Sequence, residues 1–155
     1  MITNRPRRLD GISYVGYQRY FLTTCTDRRH KAFLNDQVAR DCVAQLLRTA
    51  ASFDFAIAAY CFMPNHAHVL AYGTSLKADL RAFVIDFKKR TAHAHSKRMN
   101  AKLWQSGYYE HVLRDDEATE AVARYIFENP IRAGLTKTVG EYPYAGSDLF
   151  DYKEV

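Results

Sequence analysis

The chain has 155 residues, 48% of them hydrophobic and 25% charged, with a net charge of +5. This length favours one domain over residues 1–155, and the composition is typical of a globular rather than a disordered protein. No apolar run approaches the roughly 20 residues that a membrane helix needs, so no membrane partner is expected. The basic start of the chain lacks the apolar segment of a secretory signal, and the three scattered cysteines favour a reduced, cytoplasmic setting.

The spacing of apolar residues predicts strands and helices in the order strand, helix, strand, strand, helix, strand, helix. Short polar side chains satisfy free N–H groups at helix starts, so Asn35 or Asp36 is expected to cap the first helix. On the same argument Ser75 begins the second helix, with Leu76 on its apolar face, and Asp115 or Asp116 begins the third. The predicted strands cover residues 17–26, 53–63, 66–72 and 104–114, and the helices run from 35 or 36 to about 51, from 75 onward, and from 115 or 116 to Pro130.

This order predicts an α+β fold with a ferredoxin-like βαββαβ core, in which an antiparallel sheet carries helices on one face. The last helix is additional to that core. Pro64 and Asn65 form a turn signal, so the second and third strands are expected to pair as a hairpin. Residues 1–13 are expected to form a basic arm, and residues 136–155 an irregular tail.

Two histidines, His66 and His68, stand one residue apart at the start of the third strand. Side chains alternate faces along a strand, so both imidazoles are expected on one face, where they can converge on one cation. Ala67 and Val69, on the other face, are expected to supply the core. A second pair, His93 and His95, falls in a predicted helix, where residues two apart diverge by about 200°, and is not expected to share a metal.

In the last predicted helix, Tyr125 and Asn129 stand four residues apart and so lie on one helix face. Tyr125 fits either an amphipathic boundary residue or a nucleophile. Asn129 fits either a helix terminator before proline or a metal ligand. With the histidine pair, a phenol and an amide oxygen can complete a site for metal binding and nucleophilic attack.

Basic and aromatic side chains indicate a nucleic-acid partner. Clusters of lysine and arginine are the electrostatic footprint of phosphate binding, although a solvated helix face explains them equally well. Aromatic side chains on the strand before the last helix can stack on unpaired bases, although packing in the core is at least as good an explanation for its two tyrosines. The candidates for DNA contact are Arg5, Arg7, Arg8, Lys88, Lys89, Arg90, Arg98, Tyr108, Tyr109 and His111.

Three segments in this order, MPNHAHVL, WQSGYYEHVLR and ARYIFENPIRAGL, resemble the REP-associated tyrosine transposases, a group within the single-tyrosine HUH (His-hydrophobic-His) DNA nucleases. The resemblance runs from about Tyr17 to Tyr144. It implies a ferredoxin-like fold and cleavage of single-stranded DNA beside imperfect (REP-like) hairpins, with rejoining through a covalent 5′-phosphotyrosine.

The resemblance also implies roles for individual residues. It makes His66 and His68 the metal-binding pair for Mg²⁺ or Mn²⁺ and Tyr125 the nucleophile. Asn129 stands where related insertion-sequence transposases use glutamine as a third ligand. Those relatives work as dimers, whereas REP-associated members are thought to act alone, so the resemblance leaves a monomer and a homodimer open.

Two other functions fit the sequence. The first is a DNA-hairpin-binding protein of the same descent with little or no cleavage activity. The second is a metal-dependent hydrolase of small substrates that uses His66 and His68 with an acid such as Glu110. The basic clusters and the absence of an H-E-x-x-H pattern favour the DNA enzyme over this hydrolase.

Overall fold

A computed structural model describes residues 13–152, which form one five-stranded antiparallel sheet and four α-helices. The strands are β1 (Arg19–Cys25), β2 (Phe55–Met63), β3 (His66–Gly73), β4 (Tyr109–Val112) and β5 (Ala145–Gly146). The helices are α1 (Asp36–Ser52), α2 (Leu80–Met99), α3 (Thr119–Phe127) and α4 (Asn129–Arg132), and two short 3-10 turns span Asp27–Arg29 and Ala32–Leu34.

The strand order across the sheet is β4-β1-β3-β2-β5, with every neighbouring pair antiparallel. The first four strands with α1 and α2 make the predicted ferredoxin-like βαββαβ core, so that prediction is confirmed. The central strand β3 pairs along its length with β1 and β2, which holds its side chains in a fixed register.

The two helices of the core share one face of the sheet, as expected, and the additional helix α3 lies on the other face. Apolar residues of α1 and α2, such as Leu46 and Phe83, pack in one core with Val69 of β3. Ile126 of α3 packs in a second core with Leu70, from the opposite face of the same strand. Helix α3 is strongly amphipathic, and the sheet face beneath it is apolar. Burial of these two apolar surfaces against each other stabilises the second layer.

Helix α2 begins later than predicted. The N-terminal cap is Asp79, whose Oδ1 accepts from the Ala82 N–H at 3.2 Å, rather than Ser75. The Ser75 hydroxyl instead accepts from Lys77 N–H and donates to a carboxylate in the turn after α1. Leu76, expected on the apolar face, is 76% exposed because it precedes the helix.

The last predicted strand is shorter than expected, and the following helix begins later. Gly107 has a φ of +79°, which separates β4 from the buried Trp104 before it. Trp104 forms only an isolated bridge to Thr26. Helix α3 begins at Thr119 after Ala118, and no side-chain hydrogen bond caps it, so the predicted Asp115 or Asp116 cap is wrong.

The C-terminal segment packs against β2 and has little regular structure apart from the two-residue strand β5. β5 pairs antiparallel with β2, placing Ala145 opposite Cys61. The buried Tyr142 hydroxyl donates to the carbonyl oxygen of Phe62 at 2.7 Å. Residues 136–152 therefore complete the second core, while the predicted basic arm lies almost wholly outside the described residues. Among the helices of residues 13–152, none is both long and apolar enough to cross a membrane.

Candidate active site

The histidine pair occupies the start of β3, directly after the Pro64-Asn65 turn that connects it to β2. Ala67 is buried on the α1 and α2 side, so the alternation predicted from the sequence is confirmed for this strand. The rings of His66 and His68 have centroids 4.8 Å apart. Metal–imidazole bonds are about 2 Å long, so two rings at this separation can direct nitrogens at one ion.

Each imidazole is oriented by a hydrogen bond at Nδ1. The His66 Nδ1 lies 2.8 Å from Asn65 Oδ1, and an amide oxygen only accepts, so Nδ1 carries the proton and Nε2 has a free lone pair. The His68 Nδ1 lies 2.9 Å from the Thr23 hydroxyl, which is held opposite it by the β1–β3 register. Partners of this kind fix the ring orientation of metal-binding histidines.

Burial keeps both rings neutral at neutral pH. The pKa of His68 falls to about 4, mainly because burial disfavours the charged ring, with added positive charge from His66 and Arg132. Burial also lowers the pKa of His66, and Arg29 lowers it further. A neutral imidazole with a free nitrogen is the form that binds a metal ion, so the pair fits the divalent ion expected from the sequence.

Tyr125 lies on α3, over the sheet face that carries the histidines. Its side chain is 55% exposed, and its ring meets the edge of the Phe21 ring at a centroid distance of 6.3 Å. Phe21 in turn stacks on His68 with centroids 5.4 Å apart. The structure therefore places the tyrosine one side chain away from the histidine pair, with its ring accessible from solvent.

Asn129 does not continue the helix of Tyr125. Helix α3 ends at Phe127, and Asn129 begins the short α4, because Pro130 cannot donate a backbone hydrogen bond within a longer helix. The Asn129 Nδ2 atom is buried and has no hydrogen-bond partner among residues 13–152. The unpaired amide NH₂ group can donate to a substrate oxygen, and the role of Asn129 as third metal ligand, through its Oδ1, stays a prediction.

No cluster of three histidine, cysteine or carboxylate side chains with metal-binding geometry occurs in the described part of the chain. A metal ion held by His66 and His68 would therefore need an amide, a water molecule or a phosphate oxygen to complete its coordination shell. The other pair diverges as predicted from helix geometry, because His93 is exposed and His95 is buried.

Arg132 was not predicted from the sequence, and it borders both parts of the site. Its guanidinium carbon lies 4.0 Å from the centroid of the Tyr125 ring, and its Nη2 donates to the Tyr125 carbonyl oxygen at 2.6 Å. The same positive charge contributes to the lowered pKa of His68. Helical spacing was the available signal, because Arg132 stands seven residues after Tyr125 and three after Asn129. The break between α3 and α4 obscured that spacing.

Most basic residues proposed for DNA contact lie on α2, across the sheet from the histidines. Lys88 donates from Nζ to the carbonyl oxygens of Gln105 and Gly107, at 3.0 and 2.6 Å. Arg90 pairs with Asp86 within α2, and Arg98 with an aspartate of α1, whereas Lys89 is exposed. The three arginines at positions 5, 7 and 8 lie outside the described residues.

The aromatic candidates in β4 and directly before it divide between the two faces of the sheet. Tyr108 is half-buried against the core under α1 and α2. Tyr109 is 47% exposed and stands in register with Thr23, which is also opposite His68, so it belongs to the face of the candidate site. His111 shares that face, and its Nε2 lies 2.9 Å from the Glu117 carboxylate.

Comparison with known proteins gives consistent matches. The sequence model of the family described as "Transposase IS200 like" matches residues 15–129. A Haemophilus influenzae protein described as a candidate REP-associated tyrosine transposase is 25% identical over 81% of this chain and 77% of its own length. The REP-associated tyrosine transposase of Escherichia coli K12 is 24% identical over 85% of this chain and 78% of its own length.

Solved structures show the same fold. A REP-associated tyrosine transposase bound to a REP hairpin superposes with a TM-score of 0.72 at 24% identity, covering 92% of this chain and 81% of that one. A transposase candidate from Deinococcus radiodurans gives a TM-score of 0.55 at 24% identity, over 79% of this chain and 97% of that one.

Proposed function

Because this chain belongs to the IS200-like transposase family, we propose that it cleaves and rejoins single-stranded DNA beside hairpins, with Tyr125 as the nucleophile. The observation that carries the proposal is the arrangement of Tyr125, Phe21 and His68, which brings an exposed phenol next to two neutral, oriented imidazoles. The hairpin partner is inferred from the relative whose structure contains a REP hairpin.

In the proposed reaction the Tyr125 hydroxyl oxygen attacks the phosphorus of one phosphodiester. The bond from phosphorus to the 3′-oxygen breaks, the phenol loses its proton, and the departing oxygen gains one as a 3′-hydroxyl. The 5′-phosphotyrosine that forms keeps the energy of the phosphodiester, so a second 3′-hydroxyl can reverse the step without a nucleotide cofactor.

Several side chains support this chemistry. His66 and His68 would hold a divalent ion, Mg²⁺ or Mn²⁺, together with Asn129, and the bound ion would supply charge to polarise the phosphate. Thr23 and Asn65 orient the two imidazoles. The Arg132 charge beside the Tyr125 ring would attract an anionic phosphate to the same place.

The test is formation of a covalent adduct on a labelled DNA hairpin with single-stranded flanks, in Mg²⁺ or Mn²⁺, followed by denaturing electrophoresis. We expect an adduct with the wild type, and none with Tyr125→Phe, which keeps the ring but has no hydroxyl. Binding of the hairpin by Tyr125→Phe should be unchanged, and EDTA should abolish the adduct of the wild type.

Tyr72→Phe is the matched control, because Tyr72 lies on the same strand as the histidines but at its far end. It should form the adduct at the wild-type rate. An equal adduct from Tyr125→Phe would show that another residue is the nucleophile. Hairpin binding without any adduct from the wild type would instead identify a DNA-binding protein of the same descent.

A further inference from the structure

An apolar cleft lies beside Tyr125 on the face of the candidate site. Helix α3 packs mainly on β2 and β3, so it leaves the β1 and β4 half of this face uncovered. The cleft there has a volume of about 270 Å³. Its lining side chains are Phe21, His111, Leu113, Ala121, Val122 and Tyr125.

The walls of the cleft are suited to a flat aromatic ligand. Phe21 and Tyr125 supply two aromatic rings, whose centroids are 6.3 Å apart and whose planes are inclined at 69°. Phe21 and His111 are neighbours in the β1–β4 register, so they form a continuous floor. The Glu117 carboxylate holds His111 Nε2, which fixes that imidazole at the border of the cleft.

The cleft is continuous with the candidate active site, since Tyr125 and Phe21 belong to both. One side of Phe21 stacks on His68, and Phe21 also lines the cleft. The guanidinium of Arg132 lies over the Tyr125 ring, so a positive charge adjoins the apolar walls. An apolar pocket next to a positive charge complements a base attached to a phosphate, rather than a neutral apolar ligand.

We propose that this cleft binds one unpaired nucleobase of the DNA strand, next to the phosphodiester held at the histidine pair. The inference deepens the proposed function, because a base and its phosphate are separated by a single sugar and Tyr125 borders both positions. Enzymes that act on unpaired nucleotides bind the base between aromatic and apolar side chains, and such stacking tolerates any base. The bound base would therefore fix the register of the strand for attack by Tyr125.

The test fills the cleft with Ala121→Phe. Ala121 is exposed on α3, so the larger side chain does not disturb a core. Ala51→Phe is the matched control, on an exposed position of α1. Both changes are made in Tyr125→Phe protein, so the DNA stays intact and the test does not depend on cleavage.

The probe is a DNA hairpin with single-stranded flanks that carries 5-iododeoxyuridine at one unpaired position at a time. We expect one position to form a photocrosslink to a peptide that contains Phe21, His111 or residues 121–125. The crosslink should persist in Ala51→Phe and be lost in Ala121→Phe. Removing that base should weaken binding on the order of tenfold in the control protein and have no further effect in Ala121→Phe.

Crosslinks that map only to other peptides, or that survive unchanged in Ala121→Phe, would overturn the inference. An undiminished affinity for DNA that lacks the base would do the same. A wild type that forms no phosphotyrosine adduct but gives the expected crosslinks would refute the proposed cleavage and leave the base-binding cleft standing.

Discussion

At the scale of single residues, Arg132 is the clearest addition to the site. Its guanidinium lies over the Tyr125 ring, and its Nη1 lies 3.9 Å from the Glu128 carboxylate. We expect Arg132→Gln to slow adduct formation by about 100-fold, because an oriented charge is lost where negative charge develops. Hairpin binding should change by only a few fold, and single-turnover rates measured at saturating DNA separate the two effects.

Arg124→Gln is the matched control, since Arg124 is an exposed arginine of α3, the helix that carries Tyr125. Arg132→Lys should give an intermediate rate, because it keeps the charge but loses the planar group above the ring. A wild-type rate for Arg132→Gln would remove Arg132 from the site, provided that the variant melts at the wild-type temperature.

The lowered pKa of His68 predicts how the stability of the metal-free protein depends on pH. The folded ring takes up a proton only near its pKa of about 4, whereas the unfolded chain takes one up near 6.5. The unfolded state therefore binds more protons between these values, so this contribution is full above pH 6.5 and is lost as the pH falls towards 4. This lowering of the His68 pKa corresponds to at most about 3 kcal/mol in the free energy of unfolding.

Urea unfolding in EDTA across this pH range measures the effect. His68→Phe removes the titrating ring and keeps an aromatic partner for Phe21, so its free energy of unfolding should fall less steeply with acid. The carboxylates are the same in both proteins, so their contribution to the pH dependence cancels in the comparison. Parallel curves for the two proteins would mean that His68 has an ordinary pKa.

At the scale of elements, local signals in the sequence predicted most of the fold. Asn35 caps α1 as expected, because its Oδ1 accepts from two backbone N–H groups of the first turn. The predicted start of α2 was wrong because both Ser75 and Asp79 offer capping oxygens. The sequence does not show that the Ser75 hydroxyl is engaged elsewhere. The histidine face was predictable since alternation along a strand is strict.

Long-range contacts explain what the sequence could not predict. The pairing of β5 with β2 joins residues far apart in the chain, and a strand of two residues has no period to detect. The contact of Arg132 with Tyr125 crosses the junction between α3 and α4, where helical spacing no longer applies. The cleft depends on how much of the sheet α3 leaves uncovered, which is a matter of packing between layers.

At the scale of the whole molecule, the candidate site and the basic residues of α2 lie on opposite faces of the sheet. A DNA strand that contacts both must pass around an edge, and β4 is the edge strand beside the cleft. Lys88 of α2 already reaches the Gln105–Gly107 segment that leads into β4, so the two faces approach each other there. The hairpin stem would then lie against α2 while its unpaired flank crosses β4 and β1.

This arrangement predicts that α2 contributes to DNA affinity through phosphate contacts. Lys89→Ala and Arg90→Ala should each weaken hairpin binding. Each should also make the negative slope of log K against log salt shallower by about 0.7 to 0.9, because binding with one phosphate contact fewer releases fewer counterions. Lys77→Ala is the control, since Lys77 is exposed in the loop after β3, at the opposite end from the histidines. Titrations at several salt concentrations measure the slopes. Unchanged slopes for both α2 variants would place the DNA wholly on the face of Tyr125, and the adduct assay would then be expected to proceed at the wild-type rate in each.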